Sequence, residues 1–286
     1  MATMKEVLRK LCLPLALVTL ATGLSANAVA ATKEIGSCYN AVKLNDMAVP
    51  ALKREIYVVV DQTVEFDLPL QEQAYQKLMK FLRPGDRVVL VSFSAYLKDR
   101  YTQVLFDGTL DTRLDDEQRY DVPKKILKVL DHCFSVQDQG VRQLTGKTLI
   151  EIFKGARSDL PNTETIQTLR LVANQLMSKP KAPQQYLFII SDMLEHSEVT
   201  SFYSHGSVRH LDPQAELEKV KKLGPLGDSY NDTKVYVLGA AYSLKGRYRS
   251  SVEMKSVRAF WQAYFDASGG HLIEFGMPAL LGEIGE

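Results

Sequence analysis

The sequence has few cysteines and no excess of charge of either sign. Its 286 residues include three cysteines, one tryptophan, 35 lysine and arginine residues and 34 aspartate and glutamate residues. This balance gives no electrostatic argument for a dedicated nucleic-acid-binding protein, which normally has a basic excess or a basic stripe. A hydrophobic share of 45% also excludes a disordered chain, a coiled-coil rod and a collagen-like repeat. The composition is that of a globular protein with one large or two small domains.

Apolar runs long enough to span a membrane are absent after residue 30. The apolar run that is present, Leu11–Leu24, follows three basic residues and precedes a stretch rich in small residues from Ser25 to Ala31. This order predicts a secretory signal peptide over residues 1–30, cleaved at an Ala-x-Ala site. We therefore expect an exported protein of the periplasm or the secreted space. An uncleaved membrane anchor is the alternative.

Two cysteines remain after the predicted signal peptide, Cys38 and Cys133. In an oxidising compartment, two cysteines most simply form one disulfide, which here would tie the mature N-terminus to the middle of the chain. Two buried free thiols are one alternative. Lipid modification of Cys38 is another, because Ile35-Gly36-Ser37-Cys38 loosely resembles a lipobox. Two charged residues separate that motif from the apolar run, whereas a lipobox follows the run directly.

Hydrophobic patterning predicts strands that alternate with helices. Ile56–Val60 and Tyr186–Ile190 are continuously apolar, as in strands buried on both faces of a parallel sheet. Further strands are predicted at Arg87–Phe93, Tyr101–Phe106, Lys234–Leu238 and His271–Phe275, and helices at 67–82, 122–133, 148–156, 163–177, 212–223 and 252–267.

This order indicates an α/β fold, a mostly parallel Rossmann-like sheet flanked by helices on both faces. The short connection before the strand Tyr101–Phe106 indicates one antiparallel edge strand. We expect a single domain over residues 54–286, preceded by an N-terminal extension at 31–53.

Two buried strands end in aspartates, Asp61 and Asp192, where open α/β sheets bind ligands. Together with the order of helices and strands, these residues make the chain resemble the von Willebrand factor A domain over about residues 54–275. That family has a metal-ion-dependent adhesion site with the pattern Asp-x-Ser-x-Ser after the first strand, a threonine in a mid-domain loop and an aspartate after the fourth strand. The resemblance therefore implies such a site here.

The match to that pattern is partial. Asp61-Gln62-Thr63-Val64-Glu65 has the first aspartate, a threonine for the first serine and a glutamate for the second. In the segment Gly146–Leu149, Thr148 is the preferred match for the family's threonine, with Thr145 as the fallback. The metal ligands that the resemblance implies are Asp61, Thr63, Glu65, Thr148 and Asp192.

Oxygen ligands of this kind suit a hard cation such as Mg²⁺. The additional carboxylate at Glu65 would favour Ca²⁺ or Mn²⁺ instead, unless it points into solvent. The alternative is a relative of the family with a degenerate, metal-free site.

Motifs of other functional classes are incomplete. Gly146-Lys147-Thr148 is like the end of a phosphate-binding loop, but five residues separate it from Gly140 where four are required. The hydrolase motif Gly-x-Ser-x-Gly is absent. The histidines match no zinc signature. We interpret His196, His205 and His210 as solvated loop residues, and His132 and His271 as structural residues. We predict no catalytic residue.

A cationic and aromatic segment follows the strand that ends near Leu238 and therefore lies on the same face as the two aspartates. Such a mixture is enriched at protein interfaces. The alternatives are a surface that binds single-stranded nucleic acid and an ordinary solvated loop. The candidate partner surface consists of Tyr242, Lys245, Arg247, Tyr248 and Arg249.

The function that these observations favour is an exported protein-binding module. By the family's mechanism, a partner carboxylate would complete the coordination of a divalent cation, so that binding needs no chemistry. The alternatives are a metal-dependent enzyme that uses the same carboxylates, and a metal-free structural component of an envelope assembly.

Overall fold

The computed structural model describes residues 32–42, 44, 49–94, 102–159, 162–242 and 251–286. The predicted signal peptide lies outside these ranges. In the described part of the chain, no helix combines the length and the hydrophobicity that crossing a bilayer requires. The elements follow one another as β1 (Lys33–Ile35), α1 (Tyr39–Val42), β2 (Arg54–Asp61), α2 (Leu68–Phe81), β3 (Asp86–Phe93), β4 (Gln103–Thr109), α3 (Asp116–Asp121), α4 (Lys124–Lys154), α5 (Thr165–Val172) with a π-helical turn (Ala173–Met177), β5 (Gln184–Ile190), β6 (Tyr203–Ser204), β7 (Ser207–Val208), α6 (Pro213–Lys221), β8 (Thr233–Leu238), α7 (Ser251–Asp266) and β9 (Gly270–Phe275).

Seven of the strands form one sheet in the order β1-β4-β3-β2-β5-β8-β9. Neighbouring strands run parallel except β3 and β4, which pair antiparallel. Each parallel connection includes a helix, as crossovers between parallel strands require. The predicted fold class is confirmed: a mostly parallel sheet with one antiparallel pairing and helices on both faces. The antiparallel strand β4 is not the edge strand that the sequence predicts, because β1 pairs on its outer side.

Helices cover the sheet on both faces because successive strand residues point to opposite sides. Tyr57 and Val59 of β2 lie in the apolar core beneath α5, α6 and α7. Ile56, Val58 and Val60 lie in the opposite core, beneath α2 and α4. Burial of both faces explains why the central strands are continuously apolar rather than alternating.

The N-terminal extension joins the same sheet. β1 pairs with β4 in parallel and becomes the edge strand. The predicted disulfide between Cys38 and Cys133 is present and connects this segment to α4. The buried carboxylate of Asp111 accepts hydrogen bonds from the amide of Cys38 at 2.6 Å and from Nε2 of Gln137 at 2.8 Å. The extension is therefore part of the packed structure.

One predicted break in the chain is wrong. The two helices expected at 122–133 and 148–156 are a single helix of 31 residues, α4. Gly140 and Gly146 lie within this helix, at positions where another element approaches closely. A Cβ atom at Gly146 would lie 2.8 Å from Cε2 of Tyr75, and one at Gly140 would lie 3.1 Å from Cδ1 of Ile35. These glycines permit close packing, and the expected loop around Thr148 is helical.

Candidate functional site

Asp61 and Asp192 lie at the carboxyl ends of neighbouring strands, as the sequence predicts. β2 and β5 pair in parallel, with Val60 opposite Ile190. Asp61 is the last residue of β2, and Asp192 follows β5 by two positions. Since the carboxyl ends of parallel strands share one edge of the sheet, both aspartates belong to the face on which α/β proteins bind ligands.

Asp61 is almost fully buried, and three hydrogen bonds fix the orientation of its carboxylate. Its Oδ1 accepts hydrogen bonds from the amide of Thr63 at 2.8 Å and from the Thr63 hydroxyl at 2.6 Å, while its Oδ2 accepts one from the hydroxyl of Ser191 at 2.8 Å. Burial raises the pKa of Asp61 above its ordinary value, and the hydrogen bonds from Thr63 and Ser191 oppose that rise. The carboxylate is thus held rigidly beneath Thr63.

A second threonine faces Thr63 from a distant part of the chain. The hydroxyl oxygens of Thr63 and Thr163 are 3.0 Å apart. Thr163 belongs to residues 162–164, which precede α5 and are called here the Thr163 loop. Its backbone exchanges two hydrogen bonds of 3.0 Å with His196. Residues 191–196, called here the Asp192 loop, are therefore joined to the Thr163 loop by backbone hydrogen bonds.

These side chains border an open cavity of about 520 Å³. In the Asp192 loop, Oδ1 of Asp192 accepts a hydrogen bond from the amide of Leu194 at 3.0 Å. Met193 has a positive φ of 60°, and its carbonyl accepts a hydrogen bond from Nε1 of Trp261 at 2.9 Å. The residues that line the cavity are Thr63, Val64, Ser158, Thr163, Asp192, His196, Ser201, Tyr203, His205 and Gly206.

A small hairpin forms one wall of the cavity. β6 and β7 are joined by His205 and Gly206, which have φ values of 51° and 75°, as a two-residue turn of type I′ requires. Nδ1 of His196 lies 2.9 Å from the hydroxyl of Ser201, and its ring meets the ring of Tyr203 edge-on at 5.8 Å. His196 and His205 are exposed loop residues, as predicted, but the sequence did not show that they border the site.

Three of the five predicted ligands do not line the cavity: Asp61, which is buried next to Thr63, and also Glu65 and Thr148. Glu65 is turned toward a neighbouring loop, where its Oε1 accepts hydrogen bonds from the amide and the hydroxyl of Ser158 at 3.1 and 3.0 Å. Thr148 is buried within α4 and does not line the cavity, and the fallback Thr145 is buried in the same helix. Thr163 occupies the place expected for Thr148. The sequence feature that could have indicated Thr163 is its position shortly after Pro161 and just before the predicted helix.

The donors at this face are oxygen atoms, which suits a hard cation. Asp61, Thr63, Thr163 and Asp192 supply two carboxylates and two hydroxyls. Among the described residues, no three or more His, Cys, Asp or Glu side chains converge in a way that could hold a metal. A cation here would therefore depend on hydroxyls and water as well as on the carboxylates, which fits Mg²⁺ better than Ca²⁺.

The candidate partner surface is described at one position. The hydroxyl of Tyr242 accepts a hydrogen bond from the amide of Asp67 at 3.0 Å, and its ring packs against Phe66 with centroids 5.2 Å apart. These contacts attach Tyr242 to the start of α2. The other four predicted residues, Lys245, Arg247, Tyr248 and Arg249, lie outside the described part of the chain.

No protein-family model and no curated protein matches the chain. Among solved structures it is similar to an aerotolerance-related membrane protein from Bacteroides fragilis, with 15% identity, a TM-score of 0.30, and coverage of 78% of this chain and 92% of that one. The pilus adhesin SpaC from Lactobacillus rhamnosus GG is 13% identical, with a TM-score of 0.40, and the match covers 79% of this chain and 29% of the adhesin. The conserved hypothetical protein BatB from Bacteroides thetaiotaomicron has 11% identity and a TM-score of 0.33, with coverage of 77% and 89%. At such values the fold assignment rests on the strand order itself.

Proposed function

We propose that this chain is an exported protein-binding module that engages its partner at the carboxyl-end face of the sheet, with Mg²⁺ held between the chain and the partner. The observation on which the proposal depends is that Asp192 and the paired hydroxyls of Thr63 and Thr163 line one open cavity, while the buried Asp61 carboxylate accepts a hydrogen bond from the Thr63 hydroxyl. These oxygens come from three separate parts of the chain, and the backbone hydrogen bonds between the Thr163 loop and the Asp192 loop hold two of those parts together.

The residues present fit a magnesium ion. The Thr63 hydroxyl donates its proton to Asp61, so a lone pair of its oxygen stays available to a cation. Asp61 is fixed by three donors and would orient Thr63 from beneath, whereas Asp192 and Thr163 border the open cavity. When bound, the cation would supply positive charge that attracts a carboxylate of the partner.

Export is supported by two features of the chain. The first is the sequence of residues 1–30, which has the order of a signal peptide. The second is the disulfide between Cys38 and Cys133, because such bonds persist in oxidising compartments. A module of the envelope or the secreted space is consistent with both.

Cation binding can be tested by thermal unfolding of the protein purified after export. Ligand that binds only the folded state at 100 times its Kd raises the free energy of unfolding by about 2.7 kcal/mol. We expect Mg²⁺ or Mn²⁺ to raise the Tm of the wild type relative to chelator, and we expect Thr163→Val to lose most of that shift. Thr109→Val is the matched control, because Thr109 ends β4 away from the cavity. If no divalent cation shifts the wild-type Tm, the metal-dependent part of the proposal is wrong and a metal-free structural role replaces it.

Binding of the partner is tested separately. Chemical crosslinking in the native exported fraction, followed by mass spectrometry, should join a partner to residues of the hairpin Tyr203–Val208 in the presence of Mg²⁺. Chelator and Thr163→Val should both abolish that crosslink, whereas Thr109→Val should leave it unchanged. A crosslink that survives chelation would show that the face binds without a cation.

A further inference from the structure

A buried carboxyl lies between the two loops that form the site. Glu195 is fully buried, and its Oε2 accepts a hydrogen bond of 2.9 Å from the amide of Ile166, in the first turn of α5. The carbonyl of Glu195 accepts a second hydrogen bond, from the amide of Phe202 at 2.9 Å. Glu195 therefore joins the Asp192 loop both to the helix that follows the Thr163 loop and to the segment that leads into the hairpin.

The surroundings of Glu195 favour its neutral form. Its Oε1 is buried without a hydrogen-bond partner, and so is Oγ1 of Thr165, the residue before the amide that Glu195 binds. Burial is the main cause that raises the pKa of Glu195 to about 8, while the nearby donor groups of Ser197 and the Ile166 amide oppose the rise.

The titratable groups that face Glu195 reinforce this effect. Glu164, at the start of α5, adds a negative charge that raises the pKa of Glu195 further, and Glu198 in turn raises the pKa of Glu164. Tyr264 of α7 also interacts with Glu195, whose charge contributes to the raised pKa of that phenol. His196 is the next residue in the chain. Ionised Glu195 would thus face one acidic neighbour and one neutral phenol.

We propose that Glu195 is a positioning residue of the site: its neutral carboxyl holds α5, and with it the Thr163 loop, against the Asp192 loop, and loss of its proton separates them and weakens cation binding. The inference rests on the proposed function for the effect on binding, but the motion of the loops can be observed without any ligand. Thr163 and Asp192 are the residues displaced when the two loops part.

The single tryptophan provides a direct probe of this movement. Nε1 of Trp261 donates a hydrogen bond to Met193 in the Asp192 loop, and the sequence has one tryptophan, so its indole N–H gives a single NMR signal. The amide of Ile166 reports the other side of the contact. Both signals are followed from pH 6 to pH 9.5 in the wild type, in Glu195→Gln and in Glu198→Gln. The last is the control, because Glu198 is an exposed acid near the Asp192 loop.

In the wild type, we expect both signals to change with a midpoint near pH 8, and hydrogen exchange of the Ile166 amide to accelerate above it. Glu195→Gln keeps an oxygen for Ile166 and cannot ionise, so its signals should stay constant, whereas Glu198→Gln should titrate like the wild type. Mn²⁺ affinity should fall about tenfold from pH 7 to pH 9 in the wild type relative to Glu195→Gln, because one pH unit above the midpoint about a tenth of the molecules retain the proton.

The outcomes separate the two proposals. Identical pH profiles of the Trp261 and Ile166 signals in the wild type and in Glu195→Gln would overturn the positioning role, and so would the absence of any transition in the wild type. If Glu195→Gln does not fold, the wild-type transition and its loss in Glu195→Met decide the matter. Absence of Mn²⁺ binding to the wild type at every pH would instead refute the proposed cation site, while the NMR signals still report on the loops.

Discussion

The pH dependence of stability is the most quantitative consequence of the buried Glu195 carboxyl. Its pKa is about 8 in the folded protein, against 4.5 for an unperturbed glutamate. A group whose folded pKa is raised contributes its full stability below the unfolded value and loses it as the pH rises toward the folded value. Each pKa unit corresponds to about 1.4 kcal/mol, so the ionisable carboxyl should lower the free energy of unfolding by about 5 kcal/mol between pH 4.5 and pH 8.

Glu195→Gln isolates this contribution. Subtracting the free energy of unfolding of Glu195→Gln from that of the wild type cancels the contributions of the other titrating groups. This difference should fall by up to about 5 kcal/mol from pH 4.5 to pH 8 and then level off. Urea denaturation followed by the fluorescence of Trp261 measures it. Glu218→Gln, which removes only an exposed pair with Lys221, should show no such trend. A difference that is independent of pH would refute the reasoning, since Glu195 would then be ionised throughout or would titrate normally.

Two further predictions concern the packing of α4. Removing the disulfide with Cys38→Ser and Cys133→Ser should lower the free energy of unfolding by about 4–5 kcal/mol. The two residues are 95 positions apart, and the chain-entropy model predicts a larger stabilisation for a longer closed loop. Denaturation that is unchanged by the double substitution would contradict this. Gly146→Ala should lower the free energy of unfolding by about 1–3 kcal/mol, because the new Cβ would lie 2.8 Å from the Tyr75 ring. The additional substitution Tyr75→Leu should recover part of that loss. If Gly146→Ala has the same effect with and without Tyr75, the close contact is not the cause.

The fold was predictable because the strands are buried on both faces. Continuous apolar runs at β2 and β5 leave few alternatives to a central parallel strand. The cap of α2 was also evident, since Asp67 accepts a hydrogen bond from the amide of Leu70 and Pro69 lies in the first turn. These signals are local, and local patterns are what a single sequence shows.

Features that depend on contacts between distant residues were not predictable. β1 has three residues, too few for any periodicity, and is defined by its partner β4. Gly146 lies within α4 against the ring of Tyr75, a contact between distant residues that the sequence of α4 does not show.

The site shows the same limit. Asp61, Thr63 and Asp192 follow strands and could be found by their positions. Thr163 is 100 residues from Thr63, and only the folded chain brings the two hydroxyls within 3.0 Å. Glu195 has no motif at all: its importance comes from burial between two loops, a property of the tertiary structure.

The central claim, that the carboxyl-end face holds a cation, is tested most directly by Asp192→Asn. Asparagine keeps an acceptor for the amide of Leu194, removes the negative charge and replaces the second carboxylate oxygen by an amide NH2 group. The melting temperatures of the wild type and the variant are compared with saturating Mg²⁺ and with chelator. We expect Mg²⁺ to raise the melting temperature of the wild type and not that of the variant, because the variant lacks the charge that attracts the cation. Equal melting temperatures of the two proteins in both conditions would contradict this expectation.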